Sequence, residues 1–269
     1  RNAGYPFARA YVPQQSLSNG ELLLTILEGQ YGKVTTTGDI PLYNGQARAF
    51  LSPLKKGDAI RSDTLERATL LLSDQPGIQT NATMQPGTEV GSGDLTVDIK
   101  RVNPVTASLG ADNFGNRYTG ENRLVAGVNI NNPYHLGHQI NLNAIYTNES
   151  LWFGGIGYQR PVTGDGLKAN FSYSRTAYQL GKEFSNLGAQ GTADIYAAGL
   201  TYALIRSQKT NVGLSLSLQH KNLNDRLQTG TDTNNKTSTS LPVSVNFDHR
   251  DSLFGGGISF GALTWTKGA

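Results

Sequence analysis

Apolar and polar positions alternate through the second half of the chain. The pattern runs through Ile140-Asn141-Leu142-Asn143-Ala144, Leu167 to Tyr173, Val212 to Gln219 and Leu241 to Phe247. Side chains of a strand point to opposite faces with period two. Each stretch therefore carries one apolar face and one face of Asn, Ser, Gly, Lys or Gln. A soluble sandwich alternates too, but its polar face looks outward and carries many charges. Here the polar face is small and mostly uncharged, the signature of a transmembrane β-barrel with lipid outside and water inside. The pattern predicts nine strands and no convincing helix after about Pro104: 104–112, 122–131, 139–148, 150–160, 167–178, 193–206, 210–221, 239–249 and 256–267. Short turns (131–137, 161–166) alternate with longer loops (180–192, 222–237). A closed single-chain barrel of bacterial type has an even strand count. An odd count predicts that residues 103–269 form the first part of a larger barrel.

The first hundred residues have a different rhythm. Residues 1–30 predict a hairpin, with strands Phe7 to Val12 and Glu21 to Leu27 around a turn at Ser16-Leu17-Ser18-Asn19-Gly20. Residues 31–102 predict a small β-α-α-β-β domain. Its strands are Gly32 to Thr36, Ile78 to Met84 and Leu95 to Ile99. Its helices are Tyr43 to Leu51, closed by Pro53, and a second that opens on Asp63-Thr64-Leu65-Glu66, a capping-box pattern. Leu65, Ala68, Leu71 and Leu72 recur at helical spacing, and Pro76-Gly77 ends the helix.

Composition sharpens this picture. Mean hydropathy is −0.36 and charged residues are 16%, an average that resembles a water-soluble chain. Barrels escape that test because half of each strand is polar. No apolar run reaches the roughly 18 residues that mark a transmembrane helix. The absence of cysteine excludes a disulfide framework and cysteine-ligated zinc. A net charge of +3 is too small to indicate nucleic acid. The chain opens at Arg1 without Met or a secretory signal and stops at an apparent strand, so it reads as an internal stretch of a longer protein.

The order of these parts resembles the polypeptide-transport-associated (POTRA) domains that precede the barrel of outer-membrane protein transporters. The resemblance is closer to the two-partner secretion transporters, the hemolysin secretion/activation class. Gly4 to Gln15 followed by Glu21 to Gly29 resembles the end of that family's first POTRA domain. Leu65 to Ile78 is similar to the second POTRA helix and the strand after it. Asp112-Asn113-Phe114-Gly115-Asn116-Arg117-Tyr118-Thr119-Gly120 resembles the first barrel hairpin, and Asp251-Ser252-Leu253-Phe254-Gly255-Gly256-Gly257 the start of a mid-barrel strand. The resemblance implies a POTRA remnant at 1–30, a second POTRA domain at 31–102 and the N-terminal part of the barrel at 103–269. It also implies a pore in the outer membrane of a Gram-negative bacterium, with POTRA domains in the periplasm. Such a pore captures one large secreted partner (an adhesin, a cytolysin or a contact-dependent toxin) and exports it unfolded without nucleotide hydrolysis. Elements that gate the pore in this family would lie outside the present stretch. No cofactor, nucleic acid or small-molecule substrate is expected.

Two sets of residues are candidates for this work. An extended peptide can add to an exposed strand edge through main-chain bonds. The strand Ile78, Gln79, Thr80, Asn81, Ala82, Thr83, Met84 is the candidate edge, against an ordinary solvated surface as the alternative. Arg48, Lys55, Lys56, Arg61 and Arg67 can steer an acidic segment toward it. In the barrel, Asn141, Asn143, Lys168, Asn170, Ser172, Ser215, Ser217, Gln219, Ser244 and Asn246 should line the lumen. Ile140, Leu142, Phe171, Tyr173, Leu214, Leu216, Val243 and Val245 should face lipid. Tyr134, Trp152, Tyr158, Tyr173, Tyr178, Tyr196, Tyr202 and Trp265 fit either interfacial girdles or plain β propensity.

No catalytic constellation emerges, and the chain is not expected to be an enzyme. His135 and His138 share one turn while His220 and His249 stand alone, so a metal site lacks converging ligands. Gly154-Gly155-Ile156-Gly157 is no phosphate loop, since no helix follows it. The competing reading within the same superfamily is an outer-membrane assembly and insertion factor. A passive porin has no use for the domain at 31–102, and membrane partitioning and detergent dependence would tell a soluble β-rich binding protein apart.

Overall fold

The computed structural model describes residues 4–15, 20–227, 233–252 and 255–268. The proposed turn at 16–19 and part of the 251–257 segment fall outside these residues. The chain divides into two compact units. The first is Arg1–Val102 with the short segments Thr163–Asp165 and Ile205–Gln208; the second is the remainder.

In the first unit, β1 (Arg9–Tyr11) pairs antiparallel with β2 (Thr25–Leu27), Arg9 opposite Leu27. Both strands are shorter than the sequence predicts. The β-α-α-β-β order follows: β3 (Gln30–Gly38), α1 (Pro41–Ala47), α2 (Ser62–Ser73), β4 (Ile78–Pro86) and β5 (Ser92–Arg101). The sheet order is β3-β5-β4, with β5 parallel to β3 and antiparallel to β4. β5 alternates strictly, and Leu95, Val97 and Ile99 are buried. Ala68, Leu71 and Leu72 of α2 join them, with Tyr43 and Ala47 from α1 and Phe50, Leu51 and Leu54 from the following turns. This is one small apolar core.

The structure corrects both predicted helix boundaries. α1 begins earlier because Pro41 occupies its first turn, where a missing N–H costs nothing. It gives way after Ala47 to tight turns, in which Phe50 N–H bonds the Ala47 carbonyl at 3.0 Å and Leu54 N–H bonds Leu51 at 2.9 Å. α2 also begins earlier, with Arg61 at the N-cap position and no side-chain cap bond. The predicted capping box therefore does not form. Asp63 lies inside the first turn, accepting the Arg61 guanidinium at 2.7 Å and 3.1 Å. That bond holds its carboxyl down to about 2. The carboxylate's contribution is present above its ordinary titration range and is lost as pH falls through about 2. Gly77, at φ 66, makes the reversal from α2 into β4, a conformation that favours glycine.

The second unit is one nine-stranded antiparallel meander. Its strands are β6 (Val105–Asp112), β7 (Arg123–Asn131), β8 (Gln139–Thr147), β9 (Trp152–Pro161), β10 (Leu167–Gln179), β11 (Gln190–Arg206), β12 (Thr210–Arg226), β13 (Thr233–Arg250) and β14 (Ile258–Gly268). Each strand pairs with its sequence neighbours. The nine predicted strands match these in order and nearly in length. The exception is the predicted loop at 222–237. The β12–β13 ladder runs on through Arg226 opposite Thr233. Apolar alternation stops there, but cross-strand polar pairs replace it: Asn224 Nδ2 donates to Asn235 Oδ1 at 2.5 Å.

Leu72 is 0% exposed, so Leu72→Ala should destabilise the first unit by about 2–5 kcal/mol. Asp63→Ala removes an exposed ion pair and the local bonds from Thr64, and should cost about 1 kcal/mol. Hydrogen exchange across α2 in the intact protein separates the two. A larger effect at Asp63 would restore the capping box.

Candidate functional site

The first candidate surface is the outer edge of β4. Its alternation places Thr80, Ala82 and Met84 opposite Ile99, Val97 and Leu95 of β5. Gln79, Asn81 and Thr83 are exposed on the other face. Among the described residues β4 pairs only with β5, so one side of its main chain is free. Such an edge can template another strand. The five predicted basic residues differ in availability. Lys56 pairs with Glu89 at 3.2 Å and Arg61 with Asp63 at 2.7 Å. Arg67 is half-buried and already hydrogen-bonded. Arg48 and Lys55 are exposed, and neither forms an ion pair among the described residues.

The second surface is one face of the nine-stranded sheet. Register brings all ten candidate lumen residues to that face. Asn141 stands opposite Gly157, which stands opposite Ser172, which stands opposite Ala197. Asn143 lies two positions along from Asn141, and Lys168 pairs across to Thr201. Asn170 faces Gly199, and a Cβ on Gly199 would lie 3.2 Å from the Ser217 Cβ. Ser215 opposes Ser244, Gln219 opposes Ser240, and Asn246 opposes Gly213. The face is hydrogen-bonded sideways: Asn141 Nδ2 donates to Asn129 Oδ1 at 2.6 Å, and Asn170 Nδ2 to Thr201 Oγ1 at 2.9 Å.

The opposite face is apolar without interruption. Leu142 pairs with Val128 and Ile156, Tyr173 with Ile156 and Tyr196, Leu214 with Val245, and Leu216 with Val243. The remaining predicted lipid-facing residues, Ile140 and Phe171, share this face, each opposite Tyr158. Tyr178 does not belong to it. Register places Tyr178 on the polar face, where its hydroxyl donates to Asp225 at 3.0 Å.

The limits of the apolar band were not legible in the sequence. On β12 and β13 it is closed at one end by Thr210 beside His249 at 2.8 Å, and at the other by His220 beside Thr239 at 2.9 Å. The two histidines that looked isolated are these closing positions. About ten residues separate the pairs along β12; at roughly 3.3 Å per residue and a tilt near 40° that is about 25 Å, the height of a barrel's apolar belt. Arg175 and Asp194, cross-strand partners 3.7 Å apart, also end the apolar run of β10 and β11. The signal available in the sequence was the loss of apolar residues after Leu218 and before Leu241.

Comparison with known proteins gives these surfaces a context. The family described as haemolysin secretion/activation protein ShlB/FhaC/HecB matches residues 91–269, and the ShlB-type POTRA domain matches residues 1–29. The Heme/hemopexin transporter protein HuxB of Haemophilus influenzae (strain 86-028NP) is 27% identical over 91% of this chain and 44% of its own. The outer membrane transporter CdiB of Escherichia coli O6:K15:H31 is 25% identical over 98% of this chain and 45% of its own. The chain thus spans under half the length of these relatives. In fold, the solved CdiB from Escherichia coli superposes with a TM-score of 0.79 at 23% identity, over 99% of this chain and 50% of that one. BamA from Haemophilus ducreyi gives 0.50 at 13% identity, over 98% and 62%.

The two faces make opposite demands on a cation. Leu216→Arg, mid-belt on the apolar face, should destabilise the membrane-inserted protein by about 2–4 kcal/mol, while Ser217→Arg should leave stability nearly unchanged. Unfolding in lipid vesicles measures both. The reverse ranking would exchange the lipid and water faces.

Proposed function

The chain belongs to the haemolysin secretion/activation protein family ShlB/FhaC/HecB, an outer-membrane class, and on that premise we propose that it is the front part of an export pore for one large secreted protein. The first unit is the periplasmic receptor, and the nine-stranded unit is a portion of the pore wall. The observation that carries this reading is the polar face itself. Of its ten candidate wall residues only Lys168 is charged. Amide and hydroxyl groups keep a wall hydrated, yet none of them holds a passing side chain by charge.

Capture begins at β4. The free main chain of an edge strand binds an extended segment with little demand on its sequence. That property suits a partner delivered unfolded. Export runs without nucleotide hydrolysis, and folding of the partner outside the cell supplies direction. Two relatives, by their descriptions, transport heme/hemopexin and hemolysin. By analogy the cargo of this chain is an adhesin, a cytolysin or a contact-dependent toxin. The apolar belt rests in outer-membrane lipid.

The deciding experiment expresses the full-length parent gene with and without the large secreted protein encoded beside it, and assays that protein in the medium. Secretion should depend on the parent gene. If the protein appears outside regardless, while other barrels fail to insert when the gene is lost, the chain belongs to an assembly factor instead.

Combined Arg48→Glu and Lys55→Glu should slow partner capture at low salt by about tenfold or less, with the deficit shrinking at high salt. The full-length protein and stopped-flow binding read this. A salt-independent loss would point to misfolding rather than steering.

A further inference from the structure

A cavity of about 660 Å³ opens in the first unit where β4 ends, well within the roughly 300–1,000 Å³ of small-ligand clefts. Phe7 and Leu27 wall it from the side of β1 and β2. Met84, at the end of β4, and Val90, in the turn to β5, wall the other side. Ile60, 2% exposed, is at its base. The cavity is kept open by sequence. A Cβ at Gly93 would stand 3.0 Å from Met84 Sδ and 3.3 Å from Ile60 Cδ1, so any side chain there would occupy the floor.

Two features say what fits. Val90 is 94% exposed on the lip, an apolar side chain with no packing duty of its own. Arg9 lines the same cavity and makes no ion pair among the described residues. A guanidinium beside an apolar hollow attracts a carboxylate more strongly than one in open water. The open edge of β4 leads directly to this hollow, because Met84, Gln85 and Pro86 belong to both. In strand addition the main chain supplies affinity, and pockets for side chains supply specificity.

We propose that this cavity is the specificity pocket of the receptor: it takes an apolar side chain of the exported partner, flanked by an acidic residue that pairs with Arg9, as the partner's extended segment adds to β4. This deepens the strand-edge capture proposed above and rests on it. A pocket of this kind lets a sequence-tolerant edge choose one cargo among many unfolded chains in the same compartment.

The test uses the full-length transporter in detergent and, as probe, the N-terminal region of the large secreted protein encoded beside it. Arg9→Glu and Val90→Asp change only exposed side chains, so melting should be unchanged. Each should weaken binding roughly tenfold, the scale of one interface anchor. A photo-crosslinking residue at Asn81 reports strand addition independently, and it should still crosslink in both variants at saturating probe. Crosslinking at Asn81 with unaltered affinities in both variants overturns the pocket and leaves edge capture standing; this is also the result expected if the transporter's own chain fills the cavity. No crosslink from Asn81 in the otherwise native protein overturns edge capture and the pocket with it.

Discussion

Everything in the second unit follows from the main chain's need for hydrogen bonds where water is absent. An unpaired N–H or C=O in hydrocarbon costs several kcal/mol, so a strand in the belt must have a neighbour on each side. The meander meets this locally. Each of β7 to β13 pairs with the strand before and the strand after, and β6 and β14 form the two ends of the sheet. Side-chain chemistry then has only the two faces left to set, and period two sets them. The belt needs about ten residues of a tilted strand, yet β12 and β13 have 17 and 18. The excess carries polar residues on both faces, because beyond the His220–Thr239 pair both faces meet water.

The first unit handles the same constraint in the other direction. β5 sits between β3 and β4 and carries the buried alternation of Leu95, Val97 and Ile99. The outer edge of β4 stays free at no comparable cost, since water satisfies its main chain. Exposed Gln79, Asn81 and Thr83 keep it soluble without closing it. An edge is a hazard in most proteins; under the proposed function it is the working surface.

Legibility tracked how local the controlling interaction is. Strand periodicity is local, so seven of the nine strands in the second unit were readable nearly to their ends, and β12 and β13 were each cut short at one end. The grouping of residues onto two faces followed too, because a one-residue slip would exchange them. Helix starts were less legible. The Asp63 to Glu66 pattern competes with a start at Ser62, and the Arg61–Asp63 bond, visible only in three dimensions, goes with the earlier start. The ladder beyond Asn222 was missed because Asn, Thr and Ser signal turns as strongly as strands when no apolar face supports them. The cavity beside Met84 was invisible for a different reason. It is made by what Gly93 lacks, and its walls come from Phe7, Leu27, Ile60 and Val90, which only folding brings together.

The two units place charge differently. In the second unit, paired charges lie toward strand ends: Arg123 meets Asp112 at 2.7 Å and Arg175 meets Asp194 at 3.7 Å. The wall between is nearly neutral. An unfolded polypeptide carries both signs along its length, and a wall of either sign would retain the residues of the other. Neutral amides and hydroxyls exchange their bonds with water at little net cost, so such a wall would hold no passing chain by charge. Under the proposed function, selection among chains would be left to the other unit. In the first unit Arg9, Arg48 and Lys55 form no ion pair among the described residues. If the first unit captures and the second conducts, as proposed, neither surface has to compromise for the other.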